Sequence, residues 1–382
     1  MKAGIFAAAL ALVMVTTGCG GGTSSTTGSG GGGNSSVYVL GPTTNSVLGY
    51  SQNSSGALIP FKTAPTTNTG SIPVSMVLHP SLKLAFIANN ADGTITIRVR
   101  DTSTGILTKA PLPPNVLNPP PDVLAGTNPI AMAMTPSGNF VYVLNQGSSD
   151  ISAFSVDLTN NTIIHIANNG NPTFPTPADP RFIAVSSDGR LLYVSNPTTS
   201  TIYGFSIGTD GKLTPVAGSP FATGTVACAA LPAPCATFLL VDPQTTFLYV
   251  TDPLGNKVRV FSIAGSGVLS QTSGSPFATG STPSSLAINS SGNFLLVTNQ
   301  ASNSVSGFSV AGGSLSAVAG SPFNTGVGPS FVIFDKANSF VYIADQGSND
   351  VAAYQLTGTQ LRSLVGAPFS VGTSPTWIVT SP

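Results

Sequence analysis

From Val37 onward the chain alternates short apolar runs with stretches rich in Gly, Asn, Asp and Ser. Residues 283–323 show the unit best: SSLAIN, the turn SSGN, FLLVTN, the loop QASN, SVSGFSV, a glycine turn, and SLSAV leading into GSPF. Runs of four to seven residues, apolar or alternating and bounded by turn formers, predict β-strands. Helical periodicity is absent from this part of the chain, and no strand–helix alternation supports a parallel sheet.

The unit recurs seven times. Its second strand reads VYVLGP (37–42), LAFIANN (84–90), FVYVLNQ (140–146), LLYVSNP (191–197), FLYVTDP (247–253), FLLVTNQ (294–300) and FVYIADQ (340–346). The central positions Tyr38, Phe86, Tyr142, Tyr193, Tyr249, Leu296 and Tyr342 are 48, 56, 51, 56, 47 and 46 residues apart, close to the period of propeller blades. The fold expected is all-β: a seven-bladed β-propeller of four-stranded antiparallel blades. Only linker precedes Val37, so blade one lacks its first strand, whereas SPTWIVTSP (374–382) reads as a surplus first strand. Trp377, Ile378 and Val379 are therefore expected to complete blade one, close the ring and remove two open edges. The recurring GSPF and GAPF segments place Phe221, Phe277, Phe323 and Phe369 where they are expected to fill gaps between adjacent sheets, with proline setting the turn.

Ahead of the repeats stand Lys2, an apolar run from Ala3 to Val15, and Thr16-Thr17-Gly18-Cys19. That run is short for a bilayer span and has the charge, apolar centre and small-residue ending of a secretory signal. It resembles a bacterial lipoprotein signal, which implies cleavage after residue 18, lipidation of Cys19 and membrane attachment. Thr16 stands where that motif usually has Leu, and an ordinary or uncleaved signal is the alternative. Gly20, in place of the Asp that retains many such lipoproteins in the inner membrane, favours the outer membrane. The organisation expected is a signal at 1–18, a Cys19-to-Ser36 linker of Gly, Ser and Thr, and a propeller at 37–382, in an exported periplasmic or outer-membrane lipoprotein. In an oxidising compartment Cys228 and Cys235 are expected to form a local disulfide, two free thiols being the alternative.

Charge narrows the partners. The chain has 13 basic and 13 acidic residues, 7% of the total, against roughly 25% in ordinary domains. Without a basic run, nucleic acid is an improbable partner. All 13 acids are Asp, so no step here uses a Glu. His79 lies beside a turn and His165 on an outer strand. No metal-ligand spacing or cofactor motif occurs, and no G-x-S-x-G elbow. The pairs Asp92-Gly93, Asp188-Gly189 and Asp210-Gly211 read as hairpin turns.

The repeated units, P-x-x-apolar, S-x-D-G and LYVSN, resemble the seven-bladed lactonase-like propellers, which include bacterial 6-phosphogluconolactonases and fungal muconate-lactonising enzymes. The best local match is DPRFIAVSSDGRLLYVSNP (179–197). The resemblance implies a site lined there by Arg, His and Glu. Arg181 and Asn196 are kept, but Phe182 replaces the His and Pro197 stands at the Glu position. Lactone hydrolysis needs donors for an oxyanion and a group that activates water. Arg181 meets the first need, and the second has no candidate.

The loops NQGSSD, NQASNS and DQGSND place Asn145, Gln146, Asn299, Gln300, Asp345 and Gln346 on one face with Asn196 and Arg181. Such amides suit a neutral ligand, while the competing reading is that each Asn or Asp caps its own turn. Two functions follow. One is a ligand- or protein-binding scaffold of the cell envelope, taking a glycan, a peptide or an envelope protein. The other is a sugar-lactone hydrolase in which Arg181 is the catalytic anchor.

Overall fold

The computed structural model describes residues 35–63, 65–109, 122–168, 170–171, 173–224, 237–372 and 374–381. Cys19, Cys228 and Cys235 lie outside them.

Alternation of apolar and polar positions yields, among the described residues, seven antiparallel sheets. Blade three shows the plan. Pro129–Met134 is its first strand, Phe140–Asn145 its second, Asp150–Asp157 its third and Thr162–His165 its fourth. The seven first strands touch one another in a closed circuit and surround a central channel. The second strands are the driest: all six residues of Leu84–Asn89, Leu191–Asn196, Phe294–Asn299 and Phe340–Asp345 are buried.

Ile378–Thr380 pairs antiparallel with Ser36–Gly41, with Val37 opposite Thr380 and Val39 opposite Ile378. The C-terminal strand thus closes the ring as the repeat count required. Trp377 sits just before that strand, where its carbonyl accepts from Leu40 N–H at 3.0 Å and its Nε1 donates to Met76 O of blade two at 2.9 Å. Arg100, buried at the end of the third strand of blade two, donates to Tyr38 Oη at 2.7 Å, Ser381 Oγ at 3.0 Å and Ser36 Oγ at 3.1 Å.

The GSPF segments also add strands. Each phenylalanine begins a two-residue fifth strand that pairs with the third strand of its own blade: Phe221 opposite Ile202, Phe277 opposite Val258, Phe323 opposite Val305 and Phe369 opposite Val351. In blade six the ring lies over Gly307, where a Cβ would come within 3.0 Å of it. A backbone without a side chain therefore makes the seat, and each blade's four-strand path carries a short fifth strand beside it.

Blades are joined by the repeated tyrosine. Tyr142 donates to Gly211 O at 2.8 Å, Tyr193 to Gly267 O at 2.9 Å and Tyr342 to Gly56 O at 2.7 Å, and Tyr38 reaches Gly105 O in the same way. Every acceptor lies in the turn between third and fourth strands of the next blade, and every one has positive φ, which glycine adopts without Cβ strain. Tyr249 Oη is buried with no partner.

Candidate functional site

Two faces follow from the strand order. The loop face carries the connections between second and third strands and the segments leading into the first strands. The turn face carries the hairpins between first and second strands. The expected candidates all belong to the loop face, but they divide into two groups.

The asparagines and aspartates at the ends of second strands are structural. Asn145, Asn299 and Asp345 are fully buried and Asn196 nearly so. Asn145 Oδ1 accepts from Gly126 N–H at 3.0 Å, while its Nδ2 donates to Asp150 Oδ1 at 2.7 Å and Ser152 Oγ at 2.9 Å. Asn299 donates to Ser304 and Ser306, and Asn196 donates to Ala178 O at 2.7 Å. Asp345 accepts from Thr325 Oγ1 and from Gly326 N–H at 3.0 Å. The loop glycines Gly126, Gly280 and Gly326 press on Asn145, Asn299 and Asp345 so closely that a Cβ would fall within 2.8 Å of them, as Gly70 does on the equivalent Asn89 of blade two. Asn145, Asn196, Asn299 and Asp345 therefore tie loops together, in line with the turn-capping reading of these positions.

The glutamines one residue later are different. Gln146, Gln300 and Gln346 are half-buried, and their backbone N–H groups are held by the neighbouring loop. Gln146 Nε2 donates to Asp179 Oδ1 at 2.6 Å. Asp179, with φ +62°, also accepts from Thr198 Oγ1 and pairs with Arg181 at 3.1 Å. Burial pushes the Asp179 carboxyl up, but Thr198, Gln146 and Arg181 together hold it below its ordinary value. A carboxylate so fully engaged is a weak proton acceptor. Arg181 keeps part of its donor capacity, because its Nε is buried without a partner.

One group was missed in the sequence. Phe182 packs on Phe238 with ring centroids 3.9 Å apart, Phe238 meets Phe331 at 6.0 Å, Phe331 meets Trp377 at 4.3 Å, and Trp377 returns to Phe182 at 6.1 Å. These rings come from blades four, five, seven and one. Blades four and one are not neighbours, so the circuit crosses the channel and forms a floor beneath the loop face. In six blades the position is two residues after the proline leading into the first strand, and in blade five Phe238 occupies it without that proline. Blades two, three and six carry Ser75, Ala131 and Ser285 there. Aligning the repeats on their first strands would have shown the contrast between four aromatic and three small residues.

Both histidines lie elsewhere. His79 is buried in a turn-face hairpin, where Nδ1 accepts from Ser81 N–H at 3.0 Å, and burial lowers its pKa. His165 is exposed on the outer strand of blade three, against Phe154. Among the described residues no three His, Cys or Asp side chains gather as metal ligands.

The profile of the seven-bladed β-propeller lactonases matches residues 34–231 and 238–380. The chain belongs to that family. It is 28% identical over 172 residues to the 6-phosphogluconolactonase of Serratia proteamaculans, covering 44% of this chain and 49% of that protein. The corresponding enzyme of Pectobacterium atrosepticum is 26% identical over 128 residues, covering 33% of this chain and 36% of its own length. The matches thus span half or less of these curated relatives. Among solved structures, the periplasmic gluconolactonase PpgL of Pseudomonas aeruginosa superimposes with a TM-score of 0.69 at 17% identity, covering 91% of this chain and 99% of that one. That likeness is one of fold. In this lactonase-type propeller Arg181 is followed directly by Phe182, a member of the aromatic floor.

Proposed function

We propose that this lactonase-family propeller is an exported, lipid-anchored binding module of the cell envelope, which holds a ligand rich in hydroxyl or carbonyl groups on its loop face without hydrolysing it. The observation that carries the reading is the state of Arg181 and its surroundings. The guanidinium has a buried Nε without a partner, the carboxylate of Asp179 beside it is engaged by three residues, Gln146, Thr198 and Arg181 itself, and Phe182 next in the chain is packed into an apolar floor. Donors for a ligand oxygen are present, and a group poised to take a proton from water is not part of this cluster. The amides of Gln300 and Gln346 extend the polar rim. The signal-like N-terminus ending at Cys19 supports the location.

A second reading has one observation in its favour. Membership of the lactonase family, with curated relatives named 6-phosphogluconolactonase, supports sugar-lactone hydrolysis with Arg181 as the anchor for the developing oxyanion. The deciding experiment is lactone hydrolysis by the purified protein, using 6-phosphogluconolactone and unphosphorylated sugar lactones, beside Arg181→Ala. The binding reading expects the spontaneous rate throughout, together with calorimetric binding of a lactone or sugar that Arg181→Ala removes. Turnover above the spontaneous rate that disappears in Arg181→Ala establishes the hydrolase. Incorporation of labelled fatty acid, abolished in Cys19→Ala, tests the anchor.

A further inference from the structure

Below the aromatic floor the channel is not filled. A cavity of about 460 Å³ runs from Phe182, Phe238, Phe331 and Trp377 to the turn face. Its wall is made by Met134, Ala184, Leu240, Ile288 and Ile333, all half-buried and all apolar. The volume lies within the range of small-molecule sites, roughly 300–1,000 Å³. An adjoining lobe behind Val77 and Val379 shares Lys336 and Trp377 with it.

The rim decides what such a cavity would accept. Ser290 and Asn338 are tied to each other across blades six and seven, through Ser290 N–H to Asn338 Oδ1 at 3.1 Å and Asn338 Nδ2 to Ser290 Oγ at 2.6 Å. Asp335 is buried and spends its carboxylate on Ser339 N–H, Phe340 N–H and Gln52 Nε2. Lys336 is exposed, lines both lobes, and has no ion pair or side-chain hydrogen bond among the described residues. An apolar shaft with one available cation at its opening matches a ligand with an apolar body and a single anionic end.

We propose that the channel below the floor is a second binding site, opening on the turn face, for an amphiphilic monocarboxylate of the medium-chain fatty-acid class, whose tail lies against the aliphatic wall and whose carboxylate meets Lys336. This site is separate from the Arg181 cluster and stands whether or not the loop face binds anything.

The protein carries its own reporter, since Trp377 is the only tryptophan and forms part of the floor. Titrating the purified protein with decanoate below its micellar range is expected to give a saturable change in tryptophan emission with a matching calorimetric isotherm. Each methylene added from hexanoate to decanoate should tighten binding by roughly fourfold. Lys336→Gln, a surface change, should weaken decanoate by about threefold and leave decanol unchanged. Ala184→Phe, folded by circular dichroism, should abolish binding by occupying the shaft, and Arg181→Ala should not affect it. Absence of both emission change and heat overturns the proposal. So does decylamine binding as well as decanoate, equal decanoate affinity in Lys336→Gln, or undiminished binding in folded Ala184→Phe.

Discussion

Replacing Asp345 by Asn should stabilise the propeller, and increasingly so as pH rises. Asp345 is fully buried, and burial raises its pKa from an ordinary 3.8 to about 7, with Asp350 adding to the rise against the donors Thr325 and Gly326. A carboxyl whose folded pKa is raised contributes its full stability below the unfolded value, near 4, and loses it as pH climbs through the folded value. Three pK units amount to about 4 kcal/mol, of which roughly 2.5 kcal/mol is lost between pH 5 and pH 8. Asparagine lacks that titration and has a template in blade three. There Asn145 accepts from Gly126 N–H and donates to Asp150, the positions matched in blade seven by Gly326 and Asp350. With an unfolding entropy of about 2.1 cal/mol/K per residue, the melting-temperature gap between variant and parent should widen by about 3 °C from pH 5 to pH 8. His79, buried with a lowered pKa, contributes in the opposite sense below about pH 6.5. The gap between the two proteins, measured by thermal melts in matched buffers, isolates position 345. A gap that stays constant with pH would falsify the reasoning, because it would mean Asp345 is already ionised in the folded protein.

The tyrosine contacts make a paired prediction. Tyr193→Phe breaks a buried hydrogen bond to Gly267 O and should cost about 1 kcal/mol, whereas Tyr249→Phe removes an unpartnered hydroxyl and should be neutral or mildly stabilising in denaturant melts. Equal losses in both would refute the assignment, because they would show that the bond to Gly267 O does not distinguish the two hydroxyls. Deleting residues 374–382 removes the strand that pairs with Ser36–Gly41 and should abolish soluble folded protein. A truncated chain that melts like its parent would show that the closure is dispensable.

How far the sequence reached depended on the range of the interactions. The strands, the seven blades and the closing segment around Ile378 were legible because alternation and the recurring tyrosine are local signals. The fifth strands were not, since two residues such as Phe221 and Ala222 are too few to alternate. Asn145 looked available because its partner, Gly126 N–H, lies 19 residues upstream in another loop. The saturation of Asp179 was hidden for the same reason, as Gln146 comes from the preceding blade. The aromatic floor needs four side chains spread over nearly two hundred residues, and only the ring geometry brings them together.

The junction between Ser36 and Ser381 has a mechanical consequence. Ser381 N–H donates to Ser36 O at 2.8 Å, and Ser36 N–H donates to Ser381 Oγ at 3.0 Å, so the incoming and outgoing chains are zipped side by side. A pull on the segment before Ser36 loads that pair of antiparallel strands before it loads any other part of the ring. The closing strand spans only Ile378–Thr380, yet Arg100 grips one end of the joint and Trp377 is fastened to Met76 at the other. Both fastenings belong to blade two. Tension entering through the leading segment is therefore shared with the neighbouring blade, and the shortest strand in the closure does not have to bear it alone.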